Sequence, residues 1–254
     1  MKKAFIVTSA LNVDNANPLT YSDKRTHFGT DDRIRHTAMT VATLDMKSDD
    51  NTVIYLLDCS AGGGADNSNL FGYQKNLRFI NVATEFPEIY QQVTTHPNKS
   101  HCECLMLAAF MRKYRTELLA FDFIFKISGR YFTDSSFDTT VFNKYNRNKI
   151  FYKTPLEFDW SDSWGYNIVD RREQQGDNKL RQYCSVLYGW GNEHFDHFLD
   201  MYTAVACMLD LPSMIHMDIE TLGYYFMRPF ERDIIETDWI VYGWDGTSGR
   251  FMRY

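Results

Sequence analysis

Paired cysteines, prolines and long apolar runs are all scarce in this chain. Its five cysteines, at positions 59, 102, 104, 184 and 207, come with no second Cys/His pair at zinc spacing, which argues against a zinc module. No stretch approaches the roughly 18–20 apolar residues that cross a bilayer. The opening MKKAFIVTSALNVDNANP puts two lysines ahead of AFIV, but that run is short and broken by Asn12, Asp14 and Asn15. A secretory signal is therefore not expected, and the cysteines read as free thiols of a cytoplasmic protein. Positive charge is scarce too: 27 Lys and Arg face 33 Asp and Glu, for a net charge of −6 with histidine neutral. That composition excludes a general nucleic-acid binder. No G-x-x-x-x-G-K-[ST] loop, no G-x-G-x-x-G behind a strand and no G-x-S-x-G elbow is present. A phosphate-loop NTPase and an α/β-hydrolase are not expected. Gly62-Gly63-Gly64 follows a strand without a helical pattern behind it and reads as a turn.

What the chain does have is an ordinary globular balance, 44% hydrophobic and 24% charged, with an aromatic excess of 16%. Five Trp, 16 Tyr and 19 Phe exceed simple core filling, so some flat faces are expected to meet a partner. Apolar runs predict strands over 4–9, 53–57, 77–82, 121–127 and 149–154, a short one over 186–188, and a closing one over 239–244. Helical periodicity predicts helices over 33–44, 101–120, 194–209 and 219–230, the first with N-cap chemistry at Thr30-Asp31-Asp32. Residues 159–182 are polar and read as a long surface loop. Strand, helix, strand at the start indicates an α/β fold with a mixed central sheet. No repeat, low-complexity tract or linker divides the chain, so residues 1–254 form a single domain.

In an open α/β sheet, ligands bind beyond the carboxyl ends of the strands. Three polar clusters stand there: Thr8-Ser9, Asp58-Cys59-Ser60 and Ser128-Gly129-Arg130. Lys126 and Arg130 bracket the last and form a pair suited to clamping a phosphate. The alternative is that Lys126 snorkels from its strand and Arg130 pairs with a surface acid. Gly129 allows close backbone approach to a ligand. Histidines 27, 36, 96, 101, 194, 197 and 216 are scattered, and His194-x-x-His197 reads as packing rather than metal.

The segment Phe125-Lys126-Ile127-Ser128-Gly129-Arg130-Tyr131, followed by Phe137-Asp138, resembles the FKISGRY segment of a family of glycosyltransferase-like proteins from bacterial surface-polysaccharide clusters and large viruses. Asp31-Asp32-Arg33-Ile34-Arg35-His36-Thr37 resembles the family's acidic-Arg-x-x-Gln-Thr helix start, with His36 in place of Gln. Ile219-Glu220 resembles a late helix start, and Val241-Tyr242-Gly243-Trp244 with Ser248-Gly249 resembles the closing V-x-G segment. The resemblance implies a single GT-A-like (Rossmann-type) domain, with a nucleotide-sugar half over about 1–135 and an acceptor half over about 136–254. It implies transfer of a sugar from a nucleotide-sugar donor to a glycan, a lipid-linked acceptor or another hydroxyl. The location would be the cytoplasm, at the membrane periphery or in a virus's host.

Such folds often hold the donor pyrophosphate through a metal on D-x-D. Here Asp218-Ile219-Glu220 is D-x-E at a helix start, and Asp159-Trp160-Ser161-Asp162 has the wrong spacing. Either Lys126 and Arg130 neutralise the diphosphate without metal, or an acid the motifs do not place binds Mg²⁺ or Mn²⁺. Glu220 is the expected general base, with Asp218 its rival; a helix-start carboxylate stabilised by the dipole is the structural alternative. Thr8, Ser9 and Asp58 are placed for base or ribose, Arg33 for the phosphates, and Ser128 and Gly129 for the donor. Trp160, Trp164, Tyr188 and Trp190 are candidates for stacking on sugars. A non-catalytic carbohydrate-binding scaffold and a nucleotidyltransferase are the competing readings.

Overall fold

Seven strands form the central sheet of the computed structural model, which describes residues 1–62, 67–72, 74–159 and 179–254. Four are parallel neighbours: β1 (Lys3–Ser9), β2 (Thr52–Asp58), β3 (Leu77–Asn81) and β4 (Phe123–Ser128). The order continues from β4 through the reversed strand β9 (Leu187–Gly191) to β6 (Ile150–Lys153) and β10 (Ile234–Thr237). Two small sheets flank it. One pairs β5 (Tyr131–Thr133), β11 (Val241–Trp244) and β12 (Phe251–Arg253), and the other pairs β7 (Leu156–Asp159) with β8 (Lys179–Gln182).

Strands β1, β2 and β4 read as near-continuous apolar runs because both faces of the sheet are covered. Along β1, Ala4 and Ile6 enter one core cluster while Phe5 and Val7 enter the other, as the period of two requires. The first cluster packs beneath α2 (Val82–Glu85), α3 (Pro87–Thr95), α4 (Lys99–Lys113), α5 (Arg115–Leu118), α6 (Phe195–Leu209) and α7 (Ile219–Met227). The second lies beneath α1 (Thr30–Asp45) and gathers Phe5, Phe125, Phe137, Phe142, Phe151 and Trp239. Ring centroids there lie as close as 4.7 Å, between Phe142 and Phe151. Much of the aromatic excess therefore fills the core.

Several elements differ from the sequence reading for local reasons. Helix α1 starts at Thr30 with Gly29 as N-cap and no side-chain capping bond, so Asp31 and Asp32 occupy its first turn. Asn98 caps α4 by accepting the His101 N–H at 3.0 Å, which starts that helix two residues early. Pro229 lies just beyond α7, where a 3₁₀ segment (Arg228–Asp233) replaces its expected last turn. The 239–244 strand does not close the central sheet, since β11 pairs with β5 and β12 instead. Part of the expected loop over 159–182 is the strand β8, and 160–178 lie outside the described residues.

Candidate active site

Register alone brings the three sequence clusters together. Ser9 aligns with Asp58 and Thr8 with Ser128, so the carboxyl ends of β1, β2 and β4 form one edge. Beyond that edge lies a cleft of about 160 Å³, lined by Thr8, Ser9, Arg33, Ser128 and Arg130 from the expected set. Arg25, Lys99 and Glu103, which sequence reasoning missed, line it too. The first turns of α1 and α4 supply Arg33 and Lys99, and helix N-termini favour anions.

Arg33, Lys99 and Arg130 face this cleft together, and the first two are depressed. Burial first, and Arg130 second, lower the Arg33 guanidinium to about 9. Burial first, then Arg130 and Arg33, lower the Lys99 ammonium to about 7, with Asp245 opposing. Lys99 Nζ donates to Thr247 Oγ1 at 3.0 Å, while Arg130 Nε donates to the Trp244 carbonyl at 3.3 Å. Arg130 is half-buried, held by β11 and lying against Gly246, where an added Cβ would sit 3.0 Å from its Cζ. Arg25 differs, because its NH1 donates to the His96 carbonyl at 2.8 Å and bolts the α3–α4 turn in place.

Lys126 does not behave as a clamp facing the cleft. The side chain is fully buried, with Nζ 2.6 Å from Glu103 Oε1, 2.9 Å from Ser128 Oγ and 2.7 Å from the Ser185 carbonyl. All three ammonium donors are thus used inside the protein. Glu103 also accepts from Thr8 Oγ1 at 2.7 Å. Ser9 Oγ shares a hydrogen bond with Thr37 Oγ1 at 3.1 Å. Thr37 in turn donates to the Gly129 carbonyl at 2.8 Å. Gly129 donates its N–H to the Thr8 carbonyl at 2.8 Å, and an added Cβ would meet that carbonyl at 3.0 Å. The close approach that requires glycine is therefore to β1.

Asp58 is buried and accepts from the Leu11 N–H at 2.9 Å and from Ser60 Oγ at 2.8 Å. Burial raises its pKa, and these bonds oppose the rise. It braces the loop after β1 rather than facing a ribose. Asp218 caps α7, accepting the Thr221 N–H at 2.8 Å and Gln182 Nε2 at 3.1 Å. Glu220, in the first turn of that helix, accepts from Ser185 Oγ. Burial first, and Asp218 second, raise its carboxyl to about 7. Glu220 does not line the cleft; Ser185 and Lys126 connect it to Glu103, which does.

The stacking candidates divide. Tyr188 and Trp190 are core residues, 1% and 0% exposed, with Trp190 stacked on Phe198 at 4.1 Å, so neither has a face for a sugar. Trp160 and Trp164 lie outside the described residues. Half-exposed aromatic faces occur instead on the small sheet carrying Arg130's neighbours, where Phe132 stacks on Tyr242 at 5.8 Å. His36, where the resembled family has Gln, stacks on Trp244 at 4.0 Å and 10°.

A divalent cation on paired carboxylates does not fit these residues. Among the described residues, Asp58 and Glu103 are committed to the bonds above, Asp218 is a helix cap, and Asp245 accepts the Ser248 N–H at 2.6 Å. Asp14, which lines the cleft with Glu103, turns its Oδ1 back to the Ala16 N–H at 2.8 Å. Glu103 is held by Lys126 and Thr8, so these two do not form the open carboxylate pair that a hard-cation site requires.

No family model matches the chain, and no curated protein matches it. Among solved structures, it is similar to mouse xyloside xylosyltransferase 1 in its apo form. That match has a TM-score of 0.52 at 11% identity, over 94% of this chain and 85% of that one. It is also similar to the apo WbbM bifunctional glycosyltransferase, with a TM-score of 0.45 at 10% identity, over 92% of this chain and 38% of that one. The α/β fold, a seven-stranded mixed sheet flanked by helices, is thus one shared with a glycosyltransferase structure.

Proposed function

We propose that this protein is a glycosyltransferase that moves a sugar from a nucleotide-sugar donor to a hydroxyl of a glycan or lipid-linked acceptor. The observation carrying this reading is the convergence of Arg33, Lys99 and Arg130 on one cleft at the carboxyl edge of the sheet. Three cations gathered against their mutual repulsion suit a ligand bearing concentrated negative charge. The cleft's 160 Å³ matches a diphosphate and part of its sugar, since whole small-molecule pockets run to about 300–1,000 Å³. The FKISGRY resemblance and the fold shared with a xylosyltransferase support the same reading. The resemblance also points to surface-polysaccharide or virion glycan synthesis.

In the transfer, the bond from the sugar's anomeric carbon to the donor phosphate breaks, and its electron pair leaves with the diphosphate. The cations stabilise that charge as it develops. The acceptor oxygen forms the new bond, and its proton passes into the carboxylate network that opens on the cleft at Glu103 and ends at Glu220, whose carboxyl is held near neutrality. Lys126 is a positioning residue, holding Glu103, Ser128 and the Ser185 carbonyl in register.

A thermal-shift screen against nucleotide sugars tests the reading, because a selective donor stabilises the native state by linkage. Donor hydrolysis and transfer by Arg130→Ala and Glu220→Gln then test the roles. Unchanged turnover in both variants overturns the assignment, and release of pyrophosphate rather than a nucleoside diphosphate indicates a nucleotidyltransferase.

A further inference from the structure

Where α3 turns into α4 beside the end of α6, three potential ligands meet outside the reaction just described. His96 follows α3, His101 lies in the first turns of α4, and Asp210 follows α6. One ligand atom from each lies within 4.8 Å of the others. We propose that His96, His101 and Asp210 form a binding site for one Zn²⁺ ion.

The His101 ring carries the strongest indication. It is 3% exposed, and its Nδ1 lies 2.9 Å from the Ala206 carbonyl. A carbonyl only accepts, so Nδ1 bears the proton and Nε2 presents a lone pair. That buried Nε2 has no hydrogen-bond partner. An imidazole oriented through its other nitrogen by a backbone carbonyl is the usual arrangement around a bound metal.

His96 and Asp210 complete the set. The His96 ring stacks on His101 with centroids 3.8 Å apart and 23° between planes, and its Nε2 lies 3.6 Å from Asp210 Oδ1. A tetrahedral ion with bonds of about 2.0–2.1 Å needs ligand atoms roughly 3.3–3.4 Å apart. The His96–Asp210 separation nearly meets this, and rotation of the His96 ring supplies the rest. His96 Nδ1 faces both the Asn98 N–H at 3.2 Å and the Asn98 carbonyl at 3.4 Å. Here the Asn98 N–H donates to Nδ1; ligation through Nε2 requires the ring to turn out of its stack on His101 so that a protonated Nδ1 donates to the Asn98 carbonyl instead. Asp210, 60% exposed at its side chain, leaves the fourth position to water. Two imidazoles and one carboxylate suit zinc, whereas magnesium and calcium take oxygen ligands. The ion would tie the ends of α3 and α6 to the start of α4, next to Asn98 and Lys99.

The test uses tag-free, chelator-treated protein titrated with ZnCl₂. Wild type should retain one equivalent of zinc through gel filtration and melt at a higher temperature, with MgCl₂ giving no rise. His101→Gln and His96→Gln should weaken zinc binding by roughly 100-fold or more, and Asp210→Asn by about 10-fold. Substituted Co²⁺ should show ligand-field bands without a thiolate charge-transfer band. Failure of wild type to retain zinc overturns the proposal, as does a thiolate band or unchanged affinity in His96→Gln and Asp210→Asn. Those two variants decide the matter if buried His101→Gln does not fold, and none of the readouts depends on sugar transfer.

Discussion

Lys126 Nζ lies 2.6 Å from Glu103 Oε1, an ion pair that joins the end of β4 to the helix bordering the cleft. The lysine has no exposed surface, and the glutamate side chain is 20% exposed. Removing the lysine strands a half-desolvated carboxylate and two further acceptors. Lys126→Met should therefore cost about 3–5 kcal/mol of stability, measured as a fall in the urea midpoint with an unchanged slope.

Arg130 stands apart from this network, because its Nε bond to the Trp244 carbonyl is long, at 3.3 Å. Arg130→Ala should leave the melting temperature nearly unchanged while weakening donor binding about 10- to 100-fold, the worth of a charged hydrogen bond. Isothermal titration with the stabilising nucleotide sugar checks this.

Gly246 offers a subtler probe of the same group. A Cβ there would sit 3.0 Å from Arg130 Cζ and from its NH2, so Gly246→Ala should displace the guanidinium. Donor affinity is expected to fall by less than in Arg130→Ala, with little change in stability, since only the far end of a flexible side chain must move. Equal affinity in Gly246→Ala and wild type would show that this guanidinium position does not matter.

The pH profile follows from two groups held near the same value. Glu220 must lose its proton for the network that reaches the cleft at Glu103 to act as base, and its carboxyl is raised to about 7. Lys99 must keep its proton to attract phosphate, and its ammonium is lowered to about 7. Plotted against pH, kcat/KM should give a narrow bell centred near 7. Glu220→Gln should remove the ascending limb and lower the rate by roughly 10²- to 10⁴-fold. Lys99→Arg should move the descending limb to higher pH.

Stability should respond with opposite signs at these two residues. The native Glu220 carboxyl holds its proton from the ordinary 4.5 up to about 7, so its contribution is lost as pH rises through that window. Lys99 titrates at about 7 in the native state and 10.5 ordinarily. Here the unfolded chain binds more protons, so stability rises with pH between those values. Relative to wild type, Glu220→Gln should gain stability as pH rises from 4.5 to 7. Thermal melts of both proteins at constant ionic strength read the difference.

The strands β1, β2 and β4 were legible because a strand covered on both faces must be apolar along its whole length. The edge strand β10 and the short strands β5 and β12 escaped notice, since a half-covered run of three or four residues leaves little pattern. Arg33 and Arg130 could be nominated for the cleft from a helix start and a strand end. Lys99 and Glu103 could not, because on a helix they look like any solvated charges. Lys126 and Trp190 were legible as residue types but not as buried ones.

Chain order and apolar patterning are local properties, so the amino-acid sequence alone dictated an α/β sheet with polar clusters at its strand ends. Which charges stand together is not local. Arg33, Lys99 and Arg130 come from three elements that meet only because α1, α4 and β4 converge at one edge of the sheet. The same packing placed Tyr188 and Trp190 in the core and half-exposed aromatics on a separate small sheet. Burial and charge proximity, the two quantities that set Glu220 and Lys99 near neutrality, exist only once the chain is folded.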